Sequence, residues 1–138
     1  MDFLLYLTLY VLTLVVFLAV DLLWLGVVAR GFYQTALRAF LSPTVNWPAA
    51  FIFYGIYVVG VMIFAVLPGL AMASLAWAAG WGALFGFFTY ATYDLTNLAT
   101  LRNWPLRVVV VDIAWGMVLC SVVGSAGFLI GTWLGLTG

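Results

Sequence analysis

The chain has 138 residues, of which 68% are hydrophobic and only eight are charged, four arginines and four aspartates that balance to zero. Soluble domains carry about 25% charged residues, so this chain has too little polar surface to solvate a water-facing exterior. Zero net charge leaves no polybasic patch for nucleic acid or anionic lipid, and no His with a single cysteine, Cys120, argues against a zinc site and an internal disulfide.

The first apolar stretch runs from Phe3 to Val28. A cleavable signal has a basic start and a short apolar core. Here Asp2 occupies the basic position and the run is longer, so the stretch is expected to be a transmembrane helix. Near its end, Asp21 and Trp24 are three apart and share a helical face. Residues 31–41 follow as a short amphipathic segment. Phe32, Ala36, Leu37, Phe40 and Leu41 fall on one side and Gln34, Thr35 and Arg38 on the other, as in a helix lying at the headgroup level. An ordinary loop with a few apolar residues is the plainer alternative.

Asn46-Trp47-Pro48 introduces the second stretch, Pro48 to Leu67, which carries Tyr54 and Tyr57 and ends in Pro68-Gly69, a turn signal. The third runs from Leu70 to about Leu98. It holds a Gly82/Gly86 pair, and Tyr90, Asp94 and Asn97 are spaced to line up on one face. Asn103-Trp104-Pro105 repeats the earlier triplet and opens the fourth stretch, Pro105 to Leu136. In both triplets Asn is expected to cap the helix, Pro to suit its first turn and Trp to anchor at the interface. The echo hints at a duplicated two-helix hairpin, although two helices starting at one membrane face would converge on the same solution.

On the fourth stretch Asp112 and Trp115 repeat the Asp-x-x-Trp spacing. Gly116, Cys120, Gly124, Gly127, Gly131 and Gly135 continue as a stripe of small residues. Such stripes let membrane helices approach closely, either within one chain or against a second copy or another membrane protein.

A bilayer core of about 30 Å needs about 20 helical residues, and only helices or closed barrels satisfy the backbone in lipid. The expected fold is therefore all-α: one polytopic domain over residues 1–138, a four-transmembrane-helix bundle with a short interfacial helix between helices one and two. Arg30 and Arg38 lie in one connection and Arg102 and Arg107 in another, while the opposite side has only Asp2. The positive-inside rule puts both connections in the cytoplasm and both termini outside.

That topology brings Asp21, Asp94 and Asp112, from three helices, to the cytoplasmic half. An Asp at the centre of a membrane helix costs roughly 2.5–3.5 kcal/mol on insertion scales and marks a functional site by default. The expected ligand-binding set is Asp21, Trp24, Tyr54, Tyr57, Tyr90, Asp94, Asn97, Asp112 and Trp115. The structural alternative pairs the aspartates with Arg30, Arg102 and Arg107 as latches. Trp47 and Trp104 are expected to be interface anchors and Cys120 a packing residue.

Asp21-Leu-Leu-Trp24-Leu-Gly26, Phe53-Tyr54-Gly-Ile-Tyr57, Tyr90-Ala-Thr-Tyr93-Asp94-Leu-Thr-Asn97-Leu-Ala-Thr100, Trp104-Pro105 and Val111-Asp112-Ile-Ala-Trp115-Gly116 resemble a family of small bacterial membrane proteins, domain of unknown function 2177. The likeness runs along nearly the whole chain. It implies a multi-pass protein of the bacterial inner membrane and supplies no activity, substrate or cofactor.

Three functions remain open on the residues. The first is a site that binds or transports a proton, a small cation or an amphipathic, lipid-like ligand. The second is a lipid-modifying enzyme using the carboxylates, although the chain lacks His, and Thr96 and Thr100 show no neighbouring base. The third is a subunit or assembly factor docking through the glycine face. Membrane lipids are the expected surroundings in each case.

Overall fold

The structure is a computed structural model that describes residues 2–137. Every element in it is helical. Helix α1 spans Asp2–Leu23 and continues as a wider π-helical turn, Trp24–Val28. After a break at Ala29, α2 covers Arg30–Ala36. Helix α3, Trp47–Val61, passes through a second π turn, Met62–Val66, into the short α4, Leu67–Ala71. Helix α5 runs Leu75–Thr100 and α6 Leu106–Trp133.

Three helical stretches are long and apolar enough to cross a bilayer: Asp2–Val28, Trp47–Ala71 and Leu106–Trp133. Each turns large apolar side chains outward, such as Phe3, Val15, Ile52, Ile56, Val118 and Leu129. Outward apolar faces on long helices are what lipid requires and water penalises.

The expected turn at Pro68-Gly69 does not form. Proline lacks an N–H and its ring crowds the carbonyl four residues back. The π turn Met62–Val66 loosens the helix just upstream, and Pro68 sits in the first turn of α4. The reversal comes later, at Met72-Ala73-Ser74, where Ala73 adopts φ 49° and the Ser74 hydroxyl accepts the Trp77 N–H at 3.0 Å.

Small residues set the packing. A Cβ on Gly86 would collide with the Gly116 carbonyl, one on Gly82 with the Cys120 carbonyl, and one on Gly124 would lie 2.8 Å from the Ala78 carbonyl. The pairs run in opposite order along α5 and α6, so the two helices are antiparallel and in backbone contact. Farther along α6, Gly127 faces Val66 and Thr13, and Gly131 faces Leu70. The stripe from Gly116 to Gly131 is thus filled within the chain. Gly135 lies beyond the helix in a turn, at φ 81°, with open space around it.

The two Asn-Trp-Pro triplets diverge. Asn46 caps α3 by accepting the Ala49 N–H at 3.2 Å, and Trp47 faces outward. Asn103 instead takes a left-handed φ of 60°, Pro105 occupies the cap position of α6, and Trp104 is buried. Trp104 is therefore no interface anchor. It packs on Phe40 and Tyr93, with centroids 5.1 and 6.0 Å away.

Candidate functional site

All four arginines lie at the end of the bundle where α1 finishes, α5 finishes and α6 begins. Asp21, Asp94 and Asp112 lie toward that same end, on α1, α5 and α6. The helical chain reversals place them there, because each sits within two turns or so of its helix terminus at that face.

Asp94 is fully buried, and neither carboxyl oxygen has a hydrogen-bond partner. Its polar neighbours are the Asp112 carboxyl and the Trp104 indole, whose buried Nε1 is also without a partner. Two deprotonated carboxyls offer each other only acceptors. They can be joined only by a proton shared in a hydrogen bond or by a cation that both coordinate.

Asp112 finds its donor on α2, where the Tyr33 hydroxyl donates to Oδ1 and in turn accepts the Trp24 Nε1–H at 3.3 Å. Burial first, and then the bond to Asp112, push the Tyr33 phenol above its ordinary range, so it stays neutral and a donor. Asp21 is bonded by the Trp115 Nε1–H at 3.2 Å. Each indole therefore reaches across to another helix and leaves the aspartate three residues before it on its own helix. The two indoles stack, with centroids 4.3 Å apart and planes 7° off parallel. Stacking of this kind locks both N–H groups in direction.

The remaining expected residues form a second layer. Tyr90 lies over Gly116, close to Asp21, Asp112 and Tyr57. The Tyr57 hydroxyl meets the Thr89 hydroxyl at 2.7 Å and Cys120 Sγ at 3.1 Å. Tyr54 is half-buried, edge-on to Phe17 and on the Asp21 side. Asn97 is half-buried on α5, one turn beyond Tyr93. Beyond Tyr57 and Cys120 the interior turns apolar, through Val61, Val66, Leu70, Val123 and Leu9, with Thr13 as its polar exception among the buried residues.

None of the three aspartates has an arginine among its hydrogen-bond partners. Arg30, Arg38, Arg102 and Arg107 all point outward. Aromatic donors take the place of a latch at Asp112 and Asp21, and Asp94 has neither. Thr96 and Thr100 are spent on the carbonyls of Thr92 and Thr96 at 2.5 and 2.8 Å and face outward, so neither is a nucleophile for the pair. Among the described residues no cluster of three metal-ligating side chains occurs.

Tyr33 and Trp104 are the two residues missing from the sequence-derived set. Tyr33 fell on neither side of the amphipathic pattern. Trp104 looked like every other tryptophan that flanks a membrane helix.

Residues 6–129 match the family described as predicted membrane protein, DUF2177, and the chain belongs to it. No curated protein and no solved structure matches the chain.

Proposed function

For this member of a membrane-protein family we propose a one-sided intramembrane binding site for a proton or small monovalent cation, held between Asp94 and Asp112. The observation that carries the reading is Asp94, buried with both oxygens free and facing a second carboxyl. Two carboxylates in a dry setting repel. A bound positive charge converts that repulsion into two favourable contacts. A divalent ion is a poorer match, because it takes six or more oxygens and two carboxyls cannot supply them.

The bundle around this site has four spans. Helix α5, with 26 residues, is long enough at about 1.5 Å per residue to cross a core of about 30 Å. It lies antiparallel along α6, which is itself apolar enough to cross. A partner packed along a spanning helix crosses with it. Helix α2 joins two consecutive spans and rests at the interface. The positive-inside rule then places the arginine-bearing end in the cytoplasm and the termini outside, in the inner membrane of a bacterium, with the chain as one transmembrane domain.

The apolar half beyond Tyr57 favours binding from the cytoplasmic side over passage through the membrane, since a permeating ion needs polar groups at every level. The helix-six glycine face is already filled by α5, the second π turn and α4, so a second copy or membrane partner would meet a lipid-facing surface, such as the groove of Ala83, Met117, Val118, Ser121 and Val122.

The test is thermal unfolding of the detergent-solubilised protein in sodium, potassium and choline chloride and across pH. Wild type is expected to respond to a cation or to pH. Asp94→Asn is expected to lose that response and to match the ligand-bound wild type, because the amide supplies both a donor and an acceptor. An Asp94→Asn variant with the full wild-type response would overturn the reading.

A further inference from the structure

We propose a second site on the outer side of α2, a cradle for the phosphodiester of a phospholipid headgroup, centred on Arg38. It shares no residue with the carboxyl site, and its failure would leave that site standing.

A depression of about 420 Å³ is lined by Gln34, Thr35, Arg38, Leu41, Ser42 and Pro43. That is within the range of small-ligand pockets, roughly 300–1,000 Å³. Its lining comes from the end of α2 and the loop that follows, which turns over residues 37–40 and bends at Pro43-Thr44. Helix α2 is committed on its other side, where Tyr33 is buried against the Trp104, Val108 and Val109 cluster.

The chemistry of the lining is one-sided. Arg38 brings a planar fork of donors that matches two oxygens of a phosphate. Gln34 and Thr35 add an amide and a hydroxyl. The Ser42 oxygen accepts the Thr44 N–H at 3.3 Å, which leaves its O–H to donate outward. No carboxylate lines the depression, and the interior aspartates are satisfied or faced by other groups. A cation surrounded by donors without an acid is complementary to an oxyanion.

Position selects the source. The segment connects two stretches that are each long and apolar enough to cross a bilayer, so it lies at a membrane face where phosphates are dense. Leu41 and Pro43 give the cradle an apolar edge, which a diester with acyl chains covers and a free phosphate does not.

The lone, buried Cys120 provides the readout, because it reacts with a fluorogenic maleimide only as the bundle opens. The full chain in a mild detergent is melted with increasing dihexanoyl phosphatidylglycerol, dihexanoyl glycerol or inorganic phosphate. Phosphatidylglycerol is expected to raise the midpoint in wild type and equally in Asp94→Asn. Arg38→Gln is expected to need about tenfold more lipid for the same shift, the loss of one charge-assisted contact. Arg38→Lys falls between them and Arg102→Gln behaves as wild type. If Arg38→Gln itself melts early, Gln34→Leu and Thr35→Val carry the test, each weakening the response. An equal shift from dihexanoyl glycerol, or an undiminished response in Arg38→Gln, overturns the oxyanion cradle. An equal shift from inorganic phosphate at the same concentration keeps the cradle and overturns the headgroup as its occupant.

Discussion

Replacing Tyr33 by Phe removes a single oxygen that serves two partners. That hydroxyl donates to Asp112 and accepts from Trp24, so the variant strands a carboxyl oxygen and an indole N–H in a part-buried setting. Leaving a buried group unsatisfied costs about 1–3 kcal/mol, and bonds to charged groups sit at the upper end. The ring itself still packs against Trp24 and Phe32, with centroids 6.5 and 5.2 Å away, so little packing is lost. The expected loss is about 2 kcal/mol of stability, read by denaturant titration in mild detergent. A double-mutant cycle with Asp112→Asn isolates the bond, with an expected coupling of about 1–2 kcal/mol for residues in one network. Additive losses, with coupling near zero, would show that α2 does not hold Asp112 through Tyr33.

In a Trp77→Phe background, which removes the neighbouring Trp77–Trp81 pair, the stacked indoles predict a circular-dichroism couplet that Trp24→Phe and Trp115→Phe each abolish, whereas Trp47→Phe, at an outward position, leaves it intact. Survival of the couplet in either core variant would refute the stack. At the α5–α6 contact, Gly86→Ala is expected to cost about 1–3 kcal/mol or more through overpacking against the Gly116 carbonyl. Gly80→Ala, with nothing near its would-be Cβ, is expected to be neutral or to stabilise the helix by up to about 1 kcal/mol. Equal effects at the two glycines would contradict the packing described for α5.

Much of this arrangement was legible in the residues. Charge scarcity and long apolar runs announce a helical membrane protein, and the arginine positions alone sort the three aspartates to one end. Spacing also found the small face of α6. It failed where the answer depended on a neighbouring helix. Asp-x-x-Trp spacing pairs residues on their own helix, whereas Trp115 bonds Asp21 on α1, and Trp24 reaches Asp112 only through Tyr33. Pro68-Gly69 has the chemistry of a turn, yet the π turn ahead of it absorbs the missing N–H and the helix persists to Ala71. Asn103 and Asn46 sit in identical triplets and take different backbone conformations, because Trp104 is drawn under Phe40 and Tyr93 while Trp47 is left outside. Local sequence carries none of these tertiary choices.

On the proposed reading, Asp94 and Asp112 act as one unit that takes up a single positive charge. All four acidic side chains are aspartates, so ¹³C-aspartate labelling with infrared difference spectroscopy reports every side-chain carboxyl at once. The bands are followed as choline is exchanged for sodium or potassium, or as pH is lowered. The expected result is a wild-type carboxyl band component that is lost in Asp94→Asn and equally in Asp112→Asn, and retained in Asp2→Asn and Asp21→Asn. A change that persists in either pair variant, or no change under any of these conditions, would contradict it.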